Sequence, residues 1–161
     1  MARGQRVFPK RPLSADIKYN SVVLEKLINH LMYDGEKEVA RKLLYDALAQ
    51  VETTMKKPPM EVFARSLRNI APQVEVKTRR IGGANYQVPV PVQGERKRFL
   101  AMKWLIEGAR TKKGKSMAKK LSEELIAAYN NEGEAIKKKT NVERMAEANR
   151  AFAFLSKKKK K

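Results

Sequence analysis

The sequence has no cysteine, which excludes disulfides, thiolate zinc sites and thiol catalysis and suits a reducing interior. Its one histidine, His30, stands between Leu27 and Leu31 in a helical pattern, a setting for a packed or half-exposed ring and not for a base or ligand. The only aspartates, Asp16, Asp34 and Asp46, are far apart, and no carboxylate pair has the context of a metal or acid–base dyad. Glu123 and Glu124 are neighbours, so on a helix they diverge by about 100°. Gly82-Gly83 leads into no Gly-Lys-Ser/Thr and is not a phosphate-binding loop. Without a catalytic constellation we expect no enzyme, no cofactor, no metal and no small-molecule substrate. No apolar run reaches the roughly 18 residues that would span a bilayer. The first twenty residues lack the apolar core of a signal peptide, and Asp16 and the prolines do not suit an amphipathic presequence.

Positive charge is what the chain has in excess. Across 161 residues, 36 Lys and Arg face 17 Asp and Glu, a net charge of +19. Such a surplus repels itself and calls for a polyanionic partner, nucleic acid first and an acidic membrane surface second. The length fits one domain with a modest core.

Residues 1–19 carry Arg3, Arg6, Lys10, Arg11 and Lys18 with two prolines and little periodicity, the pattern of a basic arm that touches nucleic acid. Asn20 or Ser21 caps a first helix with Leu24, Leu27, Ile28, Leu31 and Met32 on one face, ended by Gly35. Glu36 and Glu38 suit the start of a second helix with the stripe Val39, Leu43, Leu44, Ala47, Leu48 and Val51. Pro58 and Pro59 open a third, with Val62, Phe63, Leu67 and Ile70 inward, and Pro72 stops it. A fourth helix spans about 95–110. A fifth runs from Ser116 to about Tyr129, with Met117, Leu121, Leu125 and Ala128 inward. A sixth begins near Gly133 and turns Ile136, Val142, Met145, Ala148 and Phe152 to the core. The end, SKKKKK, reads as a solvated or RNA-touching tail.

Between helices three and four the period changes. In VEVKTRRIGGANYQVPVPVQ, period-two alternation on both sides of Gly-Gly-Ala-Asn predicts a β-hairpin. Pairing Val76 with Val90 and Thr78 with Val88 puts the apolar side chains on one face and needs an odd loop, Gly82-Gly83-Ala84. Pro89 and Pro91 lack N–H groups on the same side, so the second strand must be an outer edge and the sheet stops at two strands. The tip carries Arg79, Arg80 and the two glycines outward. Arginines fork to phosphates or stack on bases, and glycines let a backbone approach a ligand closely.

On the fourth helix Arg96, Lys103 and Arg110 recur every seven residues and drift only about 20° per step, forming one cationic stripe. Phe99, Met102, Leu105, Ile106 and Ala109 take the opposite or adjoining surface. Lys112, Lys113 and Lys115 extend the charge into the next loop. Trp104 belongs at the core rim, near the basic edge.

With these residues in view, the chain resembles the bacterial-type small-subunit ribosomal protein seven family. The specific blocks are VEVKTRRIGGANYQVPV at 74–90, LAMKWLIEGAR at 100–110, KSMAKKL at 115–121 and RMAEANRAFA at 144–153, with LMYDGEK at 31–37 a looser match. The resemblance implies a primary binder of the 3′ major domain of small-subunit ribosomal RNA that nucleates assembly of the subunit head. It implies RNA contacts from the arm, from Lys77, Arg79 and Arg80, and from Arg96, Lys103 and Arg110, to which the charge pattern adds Lys112, Lys113 and Lys115. The hairpin and C-terminal helix would lie near exit-site tRNA and mRNA, placing Arg79, Arg80, Gly82, Gly83, Tyr86, Arg144 and Arg150 there. Implied neighbours are ribosomal proteins nine, eleven and nineteen, in a cytoplasmic ribosome more readily than an organellar one. Two departures stand out: Glu36 replaces a usual lysine after Gly35, and Phe154-Leu155-Ser156 replaces a usual His-Tyr-Arg.

The expected fold is therefore mainly α: a single domain over 1–161, with an arm at 1–19, a helical body at 20–155 and a lysine tail at 156–161. Six helices carry a protruding two-stranded antiparallel hairpin at 74–92, between helices three and four. Alternative readings are a DNA architectural protein with a basic β-arm, which would dimerise around its ribbons, and an mRNA-binding translational repressor.

Overall fold

Ser21 begins the first helix. Its hydroxyl accepts from the Leu24 N–H, and α1 (Val22–Leu31) follows with Leu24, Leu27 and Ile28 fully buried. The structure, a computed structural model, describes residues 12–156. Arg3, Arg6, Lys10, Arg11 and the final lysines lie outside the described residues. α1 is followed by α2 (Lys37–Met55), α3 (Pro59–Ile70), β1 (Val74–Ile81), β2 (Ala84–Pro91), α4 (Gly94–Thr111), α5 (Met117–Tyr129) and α6 (Glu134–Ala148). A 3-10 helix, Arg150–Ser156, closes the described chain. The expected sixth helix thus breaks at Asn149, and its last turn tightens into a separate element. The architecture is the predicted one: a mainly helical body with a hairpin between α3 and α4.

One apolar core joins all six α-helices. Leu44, Leu48 and Val51 of α2, Val62 and Ile70 of α3, Leu105 and Ala109 of α4, and Leu121 and Leu125 of α5 are all fully buried within it. Trp104 is buried too, so the ring serves the core. Four stripe residues instead face water: Val39 is 60 % exposed, Met145 45 % and Phe99 36 %, and Ala148 at the end of α6 is exposed as well. Ala40 and Ala146 are buried in the turns where Val39 and Met145 were expected, because close approach of neighbouring helices favours the smaller side chain. Gly35 does not end α1 directly. Met32 is the cap residue, and Gly35 sits beyond it in a turn closed by Glu36 N–H to Tyr33 O, 2.8 Å, where its φ of +86° suits glycine.

The hairpin has two strands, as the prolines require, but another register. Glu75 opposes Val90, Val76 opposes Pro89, Lys77 opposes Val88 and Ile81 opposes Ala84, leaving only Gly82-Gly83 as the loop. Both glycines have positive φ, +58° and +87°, the backbone of the tight two-residue turn that matches strand twist. The expected three-residue loop rested on gathering every valine on one face. Instead, Val74 and Val76 share a face with Pro89 and Pro91, while Val88 and Val90 share theirs with Glu75 and Lys77. The ribbon is covered on more than one side: Val74, Pro89 and Pro91 line a cleft with Glu143 and Ala146 of α6, and Val88 is fully buried.

Candidate nucleic-acid interface

The hairpin is held to α4 by a single carboxylate. Glu75, 8 % exposed, accepts from Arg96 Nε at 3.1 Å and Nη2 at 2.9 Å, and meets Lys77 Nζ at 2.7 Å. Burial pushes its carboxyl upward, but the hydrogen bonds and charges of Lys77 and Arg96 outweigh burial and hold it below the usual 4.5. A depressed carboxyl contributes stability that is present above its unfolded value and lost as pH falls through the folded one. Glu75→Gln should therefore lower stability by about 1 kcal/mol at pH 7, the half-exposed partners being screened by water. Against wild type, the gap in melting temperature should shrink as pH falls from the ordinary carboxyl value of 4.5 through the depressed folded one. A gap independent of pH would contradict the latch.

Beside this latch, α1 and α4 enclose a groove of about 790 Å³. Lys26, Arg96 and Arg98 give it positive charge, and His30 and Phe99 give it an aromatic wall, the two rings meeting edge to face at 5.2 Å. Burial and the neighbouring Lys26 ammonium lower the His30 pKa, which keeps the ring neutral at pH 7. Lys26 itself is paired with Glu95 at 2.6 Å on the surface. Lys26, Lys97 and Arg98 escaped the heptad reading, although the run Glu95-Arg96-Lys97-Arg98 carried the signal.

The stripe exists but its members differ. Arg96 is tied to Glu75; Lys103 lies 3.7 Å from Glu107, both half exposed, a pair worth little in water. Arg110 packs its guanidinium 4.2 Å from the Tyr33 ring centroid and donates to Leu31 O at 3.3 Å. In the following loop Lys112 turns inward to the buried Glu124 at 3.0 Å, and Lys115 pairs with Glu123 at 2.6 Å. The Lys115 hydrogen bond holds the Glu123 carboxyl below its ordinary value. Lys113 is exposed. At the chain's described start, Lys18 lies 5.4 Å from the ring centroids of both Tyr19 and Tyr45.

The hairpin and C-terminal residues form a second cluster. Arg79 Nη1 donates to Leu155 O at 2.7 Å, and Tyr86 meets Phe152 edge to face at 5.3 Å. The divergent C-terminal stretch is thus docked on the ribbon. Arg80 is exposed beside the Gly82-Gly83 tip, while Arg144 bonds Asn141 at 3.1 Å and Arg150 bonds Glu147 at 3.3 Å, all on the surface. A helical body therefore presents one cationic groove and one basic ribbon, suited to binding a folded polyanion. No helix among the described residues is long and apolar enough to cross a membrane.

Comparisons with known proteins agree with this arrangement. The family profile for ribosomal protein S7p/S5e matches residues 2–150. The small ribosomal subunit protein uS7 of Thermotoga neapolitana is 51 % identical over 144 residues, 89 % of this chain and 93 % of that protein. The proteins of that name from Chloroflexus aggregans and Thermosipho melanesiensis are 51 % and 52 % identical, over 91 % and 89 % of this chain and 94 % and 92 % of theirs. A family match over nearly the whole chain, with relatives of about half identity, leaves one conclusion: this chain belongs to the ribosomal protein S7p/S5e family.

Proposed function

We propose that the chain is a structural, non-enzymatic constituent of the small ribosomal subunit. It binds the 3′ major domain of the ribosomal RNA and nucleates assembly of the head, with ribosomal proteins nine, eleven and nineteen as neighbours. The observation that carries this reading is half identity over most of the chain with proteins named for the small subunit. The surplus charge of +19 and the cationic α1–α4 groove support RNA as the ligand. Folded RNA hides its base edges in a deep groove, so a rigid surface reading shape, with a ribbon reaching into crevices, is the fitting design. The ribbon, with Arg79, Arg80, Gly82, Gly83 and Tyr86, and the C-terminal Arg144 and Arg150 serve exit-site tRNA and mRNA.

Two double variants separate these roles. Arg96→Ala/Lys103→Ala should weaken binding to a 3′ major-domain transcript at least tenfold and flatten its salt dependence by about 1 in log–log slope, because Glu75 already neutralises part of the Arg96 charge. Arg79→Ala/Arg80→Ala should leave that affinity within a few-fold. Equal, large losses in both would place the ribbon in primary binding and overturn the division. Unchanged binding in the α4 variant would remove the groove from the interface.

A further inference from the structure

The turn between α1 and α2 is not a simple cationic surface. Tyr33 is 64 % exposed, with the Arg110 guanidinium against its ring at 4.2 Å and that guanidinium anchored on Leu31 O. A stacked cation occupies one face of a ring, and this degree of exposure leaves the other to solvent. Beside the ring runs a groove of about 470 Å³ floored by Val39, Leu43 and Met117, with Glu36 on its rim. Among the described residues the exposed Glu36 carboxylate has no hydrogen-bond or ion-pair partner, so an occupant that covers it must replace its water with a donor.

Each feature narrows the occupant. A phosphate is repelled by Glu36. An apolar side chain fills the floor but leaves the carboxylate without a donor. An unstacked base meets all three demands: one face stacks on the aromatic ring, the ring system covers the apolar floor, and its edge offers N–H donors to the carboxylate. Guanine fits best, because N1–H and N2–H stand side by side and match the two oxygens of one carboxylate. We propose that Tyr33, Glu36 and the Val39–Met117 groove hold one unstacked guanine of the RNA. The inference rests on the RNA-binding reading above and deepens it. It gives Glu36, where a lysine would have met phosphate, the task of reading a base.

The test uses the full chain on the 3′ major-domain transcript, probed with a dicarbonyl reagent that adds across N1 and N2 of unpaired guanine. In complex with wild type, one guanine should be protected that becomes reactive with both Tyr33→Leu and Glu36→Gln, other protections staying in place. Tyr33→Leu should weaken binding about tenfold with an unchanged salt slope, since no cation is removed. Tyr33→Phe should restore both affinity and protection. Wild-type affinity and unaltered guanine reactivity in both variants would overturn the inference while leaving RNA binding intact. So would unaltered RNA binding combined with failure of both variants to enter reconstituted subunits, which would assign the pocket to a protein neighbour. A bound transcript with no protected guanine would overturn the inference alone, and absence of transcript binding by wild type would overturn the RNA reading itself, and this pocket with it.

Discussion

Glu124→Leu is expected to lower stability by roughly 3–5 kcal/mol. Glu124 is fully buried on α5. One carboxylate oxygen accepts from the Ala135 N–H at 2.9 Å, at the start of α6, and the other meets the Lys112 ammonium at 3.0 Å, just after α4. The end of α4 and the start of α6 are thus both fixed to the middle of α5 by one side chain. Leucine fills the volume but leaves the buried Ala135 N–H without an acceptor and the partly buried Lys112 ammonium without its counter-charge.

The surroundings are shaped for this carboxylate. A Cβ at Gly133 would lie 2.7 Å from Glu124 Oε1, and one at Gly108 would lie 3.0 Å away. Gly133 also has φ +94°, which strains any side chain-bearing residue. Gly133→Ala should therefore destabilise as well, and the pair should be non-additive, because leucine removes the oxygen the new Cβ strikes. Denaturant unfolding of the four proteins checks this. Additive losses, or a change of under about 1 kcal/mol for Glu124→Leu, would contradict the account.

The second large effect is on affinity. If about eight phosphates are neutralised in the complex, the log–log dependence of affinity on salt should have a slope on the order of −6 to −7. Raising salt from about 50 to 200 mM should then weaken binding by a factor on the order of 10⁴. The structure explains why the number is well below the 36 cations. Lys77, Arg96, Lys112 and Lys115 are already paired with Glu75, Glu124 or Glu123, so part of the charge is spent within the fold. A slope near −2 under the same conditions would mean that shape contacts dominate and that the cationic groove is peripheral.

How much of this could be read beforehand follows from the range of each interaction. The helices were legible because 3.6-residue periodicity is local: Leu24, Leu27 and Ile28, or Leu121 and Leu125, announce their face within two turns. The hairpin was legible for the same reason, from alternation and a glycine pair. Its register was not. The choice depended on where charge could be buried, and Glu75 is tolerable under the ribbon only because Arg96, twenty-one residues on, reaches it. Asp16 is buried for a similar reason, receiving the Tyr45 hydroxyl at 2.6 Å from twenty-nine residues away. Glu25 is buried against Lys37 and Arg41 of α2. Long-range hydrogen bonds and ion pairs of this kind leave no periodic trace.

The candidate interface shows the same division. The stripe of Arg96, Lys103 and Arg110 was visible as spacing, whereas the groove facing it needed α1 to bring Lys26 and His30 alongside. Glu36 carried no signal except as a departure from the lysine the family resemblance led one to expect, and Tyr33 carried none. Their meeting with Arg110, on a helix some eighty residues later, is a product of the fold.

The most direct test of the central claim is a titration of the purified chain against the 3′ major-domain transcript at near-physiological salt, with excess competitor DNA and unrelated duplex RNA. Nanomolar binding that survives both competitors is the predicted result, because shape and splayed bases in the cognate RNA supply what charge alone does not. Equal loss to every competitor would contradict it, reducing the surface to a generic polycation.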